Sequence, residues 1–99
     1  MRLSAEQVQR LKCLAVEEGG AEARLRLFGS RLDDTRSGGD VDLLLELSSP
    51  ATNPAPLAAR MAARASRALD GRKVDVVLAA PNLKRLPIHD IAFRYGVEL

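Results

Sequence analysis

The chain has 99 residues, 46% hydrophobic and 3% aromatic, with a net charge of +2 from 15 basic and 13 acidic side chains. That length suits one domain, residues 1–99, with a core of Leu, Val, Ile and Ala. Phe28, Phe93 and Tyr95 are too few aromatics for a base-stacking platform, the near-even charge balance demands no polyanionic partner, and one cysteine, Cys13, excludes an internal disulfide or a cysteine-built zinc site.

Ser4 to about Glu18 is expected to be helical. Ser4 and Gln7 have capping-box spacing, Leu3 and Val8 have staple spacing, and Val8, Leu11, Leu14 and Ala15 make an apolar stripe. Gly19 and Gly20 supply the stop. Ala23 to Phe28 alternates as a first strand, broken by Gly29 and Ser30. Arg31 to Gly39 is polar, with room for one short helical turn before a Ser37-Gly38-Gly39 loop. Asp40 to Leu47 reads as a second strand. Asn53 and Pro54 suit the N-cap and first turn of a helix to about Leu69, with Leu57, Met61, Ala65, Ala68 and Leu69 inward. Lys73 to Ala79 reads as a third strand. A last helix begins near Pro87, with Ile88, Ile91, Ala92 and Tyr95 as its inner stripe, and stops at Gly96 before a short edge strand. This order predicts an α/β (α+β) domain: a small mixed sheet flanked by helices. No apolar run has membrane-span length and no signal-peptide pattern opens the chain, so a soluble, cytoplasmic protein is expected.

Two acids at alternate positions open the second strand. Residues two apart share a face, so Asp40 and Asp42 project together with Cβ atoms roughly 6–7 Å apart, while Val41, Leu43, Leu45 and Leu47 face the core. Buried carboxylates need partners. Two carboxylates at this spacing suit hard cations such as Mg²⁺, which keep positions open for water and phosphate. A pair of such ions about 4 Å apart stabilises both oxygens of an in-line phosphoryl displacement. Asp75, in an otherwise apolar third strand, reaches the same site if that strand lies beside the second, as a metal ligand and base. Upstream, Gly29 lets the backbone approach a phosphate, and Ser30 adds a hydroxyl at the turn. The sequence contains no P-loop motif.

Gly29-Ser30, nine residues, Asp40-Val41-Asp42 and a later strand acid at Asp75 together resemble the signature of the polymerase-β-type nucleotidyltransferase superfamily, and most of all its minimal members. The likeness covers nearly the whole chain. It implies a polymerase-β-like nucleotidyltransferase fold, with Gly29 and Ser30 holding a nucleoside triphosphate. It also implies Asp40 and Asp42 as Mg²⁺ ligands, with Asp75 completing the metal triad and activating the acceptor hydroxyl. Minimal members pair with HEPN-domain toxins, and some act as antitoxins by moving AMP from ATP to a tyrosine of that partner. Two other readings stand beside this one: a non-enzymatic antitoxin that masks its partner, and a small-molecule, antibiotic-type nucleotidyltransferase whose pocket a second subunit completes.

Arg31 and Arg36 are nucleotide-binding candidates, as bidentate clamps on the triphosphate or else as solvated loop residues. Asp33 and Asp34 read as solvated. Arg60, Arg64 and Arg67 form a basic stripe, read as a solvent face or a docking surface for an acidic partner or RNA. Cys13 reads as a neutral structural residue, His89 as a surface or partner-facing one, and Tyr95 as core.

Overall fold

A computed structural model describes residues 3–29 and 40–99. Its elements are α1 (Ala5–Gly19), β1 (Arg24–Phe28), β2 (Val41–Glu46), α2 (Pro54–Ala68), β3 (Val74–Ala79), α3 (Pro87–Tyr95) and β4 (Val97–Glu98). The helical turn expected between Arg31 and Gly39 lies outside the described residues. The strands form one mixed sheet in the order β3-β2-β1-β4. β2 and β3 are parallel, from Val41 opposite Val74 to Glu46 opposite Ala79, and β1 runs antiparallel to both β2 and β4. Parallel neighbours cannot be joined by a tight turn, and α2 provides the crossover.

Helices lie on both sides of the sheet. On one side α1 and α2 pack Leu11, Leu14, Leu57 and Met61 against Leu25, Val41, Leu43, Leu45, Val74 and Leu78. On the other, Ala92 and Phe93 of α3 meet Phe28, Leu44 and Val77. β2 therefore has neighbours at both edges and cover on both faces. Val41, Leu43, Leu44 and Leu45 are wholly buried, which explains a continuous apolar run where a half-exposed strand would alternate. Each such leucine contributes about 1.5–3 kcal/mol by burial.

The α1 cap forms as its residues predict. The Ser4 Oγ accepts from the Gln7 amide at 3.0 Å, and the Gln7 Oε1 accepts from the Ser4 amide at 2.9 Å. Asn53 occupies the N-cap of α2 without a side-chain hydrogen bond. A contact that carries no sequence signal ties two loops together. The Asn82 side chain donates to the Ala51 carbonyl and accepts from the Ala51 amide, both at 2.8 Å.

The basic stripe of α2 has partners within the chain. Glu17 and Glu18 end α1, where the helix dipole disfavours a negative charge. Arg60 reaches Glu18 at 3.1 Å, and Arg64 bonds Glu18 at 2.9 Å and also Glu17. Two of the three arginines thus clamp α2 to α1 while the stripe stays on the solvent side, with Arg60 59% exposed. Arg67 has no ion pair among the described residues. The Arg64 hydrogen bond, reinforced by Arg60 against partial burial, holds the Glu18 carboxyl below the usual range, while Glu17 and then Glu18 raise Arg64.

α3 corrects two expectations. Tyr95 is 63% exposed, and Ile88 and Ile91 also face outward, whereas His89 is 5% exposed. The imidazole is held by backbone at both nitrogens. The Leu86 amide donates to Nδ1 at 2.8 Å, so Nε2 carries the proton and donates to the Leu78 carbonyl at 2.8 Å. His89 therefore caps the first turn of α3 and seats that helix on the end of β3. The helix rotates to satisfy these bonds, and the larger apolar side chains turn out.

His89→Ala leaves the Leu86 amide and Leu78 carbonyl without their partner. It should lower unfolding free energy by about 1–3 kcal/mol in urea titration. Glu18, with its lowered folded-state pKa, stabilises the fold fully above the ordinary carboxylate range and loses that contribution as pH falls through the folded value. Glu18→Gln should accordingly narrow the difference in Tm between neutral and acidic buffer, measured by circular dichroism.

Candidate functional site

The parallel register makes Asp42 and Asp75 direct partners on neighbouring strands. Partners in register project to the same face, and adjacent strands lie about 4.8 Å apart. Both acids occupy the face of Leu44 and Val77, on the α3 side, at the end where β2 and β3 begin. Asp42 is half-buried and Asp75 exposed. A half-buried acid at this point is compatible with the core because the alternate residues Val41 and Leu43 fill the opposite face.

Gly29 completes this corner. Phe28 is the β1 partner of Asp42, and the next residue turns with φ 76°, in the left-handed region. A Cβ at Gly29 would collide with Oδ2 of Asp42, with Cγ at 3.3 Å. Bare backbone therefore lies directly against the carboxylate. Only glycine combines this approach with this dihedral.

Asp40 stands one residue ahead of β2 and is exposed; its Oδ2 is 3.7 Å from Nζ of Lys73. Lys73 joins the corner without having been among the candidate residues. Its signal in the sequence was its place two residues before Asp75, on the same face of an extending strand. Its carbonyl accepts from the Val41 amide at 2.9 Å, so strand pairing continues to this level. Ser30, Arg31 and Arg36 lie outside the described residues, as do Asp33 and Asp34.

Among the described residues no three His, Cys, Asp or Glu side chains form a group that could hold a metal ion. What the corner offers is an in-register carboxylate pair, Asp42 and Asp75, with Asp40 turned to a lysine. The donor chemistry is all oxygen, which suits a hard cation that keeps water and phosphate in its remaining positions. It does not suit a metal that needs nitrogen or sulfur.

The same sheet face carries cations further along. Arg26 lies 5.0 Å from the Phe93 ring centroid and Arg85 lies 4.8 Å from it. Arg26 also pairs with Glu98 at 3.6 Å, and Arg85 with Asp90 at 2.7 Å. Beyond them, at the opposite end of β2 from Asp42, a cavity of about 290 Å³ is lined by Glu46, Lys84, Arg85, His89 and Phe93 among others. Alternation in Arg24 to Phe28 was visible in the sequence, but not that the last helix would set Phe93 against Arg26.

No family model, curated protein or solved structure matches the chain. Among the described residues no helix is long and apolar enough to cross a membrane.

Gly29→Ala should cost about 1–3 kcal/mol for the left-handed backbone and more for the Asp42 collision. Gly71 has φ 84° and open space where a methyl group would stand, so Gly71→Ala isolates the dihedral part. Chemical denaturation of the two variants should show Gly29→Ala as the more destabilised.

Proposed function

We propose that the chain is a Mg²⁺-dependent nucleotidyltransferase with a polymerase-β-like fold, transferring AMP from ATP to a hydroxyl, the acceptor being a tyrosine of a HEPN-domain partner. The observation that carries this reading is the register that sets Asp42 opposite Asp75 with Gly29 against the Asp42 carboxylate. The chain order strand, glycine turn, acidic strand, helical crossover, acidic strand also supports it.

In this reading Asp42 and Asp75 would hold Mg²⁺, with Asp40, now turned to Lys73, as the third acid of the corner; the ion would supply charge neutralisation on the triphosphate. Gly29 and Ser30 cradle the phosphates through backbone amides and a hydroxyl, and Arg31 and Arg36 add bidentate contacts. The acceptor oxygen attacks the α-phosphorus, the bond to the bridging oxygen breaks, and pyrophosphate leaves. Asp75, the more exposed of the in-register pair, takes the hydroxyl proton. Lys73, 3.7 Å from Asp40, adds a positive charge to this acidic corner.

The test is transfer of label from α-labelled ATP to a HEPN-domain protein in Mg²⁺, read by gel and by mass spectrometry of the modified side chain. Wild type should label a tyrosine, and Asp42→Asn or Asp75→Asn should lower the rate by about 10²–10³-fold, the usual loss for one charge-stabilising group. Undiminished labelling by the Asp42→Asn, Asp75→Asn double variant would refute the assignment. Neutralisation of the toxin that survives loss of all three acids would favour masking instead.

A further inference from the structure

α3 is apolar on two sides. His89, Ala92 and Phe93 face the sheet, while Ile88, Ile91 and Tyr95, at i, i+3 and i+7, face outward. Leu86 just before the helix is exposed as well, whereas the exposed Val97 pairs with Leu27 and points to the other face of the sheet. Of the six large hydrophobic side chains exposed among the described residues, three lie on this one short helix. Scattered exposure is ordinary, but concentration on one short helix marks an interaction surface.

The charges beside the stripe indicate what covers it. Asp90 and Arg94 sit one helical turn apart on the same flank of Ile91. They do not pair with each other: Asp90 takes Nε of Arg85 on Oδ1, and Arg94 lies over the Tyr95 ring at 5.8 Å. Arg94 has no ion pair among the described residues. Now place a second α3 antiparallel against the first, with a twofold axis level with Ala92. Such an axis brings the same flank of both helices together and reverses their direction. Asp90 of each copy then faces Arg94 of the other, and the Ile91 side chains meet near the axis. The pattern is self-complementary, as an isologous interface requires.

We propose that the outer face of α3 is a homodimer interface, two copies packing Ile88, Ile91 and Tyr95 together with two reciprocal Asp90–Arg94 ion pairs. The inference rests on α3 alone and is independent of the nucleotidyl-transfer reading. Asp90 retains its Arg85 contact, since its second carboxylate oxygen is available for the incoming guanidinium.

Sedimentation equilibrium from micromolar to sub-millimolar protein tests it. Wild type should be a dimer that dissociates on dilution, and Ile91→Arg should be a monomer. Asp90→Arg sets arginine against arginine twice across the axis, and Arg94→Asp sets aspartate against aspartate. Each should raise the dimer dissociation constant at least about tenfold. An equimolar mixture of these two variants should recover a heterodimer, because the doubly basic flank of one then meets the doubly acidic flank of the other. All three positions are exposed, and far-ultraviolet circular dichroism verifies that each variant is folded. A monomeric wild type across the range would overturn the proposal, leaving the face to a different protein. So would an Ile91→Arg protein that stays dimeric, or single charge variants whose mixture stays monomeric.

Discussion

The pairing of β2 with β3 is the constraint on which the rest of the molecule depends. β2 is central and covered on both sides, so its leucines leave only one register in which β3 can bury Val74 and Leu78 on the α2 face. A slip of one residue would turn those side chains to the other face and push Asp75 into the core. Asp75 therefore meets Asp42 because the apolar residues around both acids permit nothing else. The α2 crossover carries Met61 and Ala65 into the same cluster, which binds the register to the packing of the helical layer.

The two faces of the sheet divide the work. The α1 and α2 side is almost wholly apolar, and its charges sit at the rim, where Arg60 and Arg64 hold the acidic end of α1. The α3 side mixes leucine and valine with Arg26, Asp42, Glu46 and Asp75. Charge on that side is managed by stacking on Phe93, by Glu98 on the edge strand and by exposure to water at Asp75. A thinner apolar cover, built from Ala92 and Phe93, is what leaves room for polar groups on a strand as buried as β2.

Most elements were legible in the sequence because their periods are unambiguous. The capping box at Ser4, the alternation in β1, the proline start of α2 and the glycine after α3 each carry a local physical signal. α3 misled because two apolar stripes lie close together on one short helix. Hydrophobicity favours Ile88, Ile91 and Tyr95 as the inner set. What decides the rotation is polar: His89 finds an amide on one side and a carbonyl on the other, and no periodicity rule weighs that. The ion pairs of the α2 arginine stripe were illegible for a different reason. Its partners, Glu17 and Glu18, are more than forty residues away in the chain. At the acidic corner the alternation of Asp40 and Asp42 was readable, but not that β2 begins at Val41, nor that Lys73 would stand beside Asp40.

α3 also joins the two surfaces. Phe28 pairs with Asp42 across the sheet and packs against Ala92 on its α3 side. On the opposite side of the same helix, Ile91 and Tyr95 face outward. The outer stripe and the contact with Phe28 therefore share one helix. Nine residues cannot shield two apolar faces from water and also hold a fixed rotation unless both are occupied or one is pinned. Here the sheet-facing side is pinned by the two backbone hydrogen bonds of His89. The outer side can then be covered without the helix having to turn.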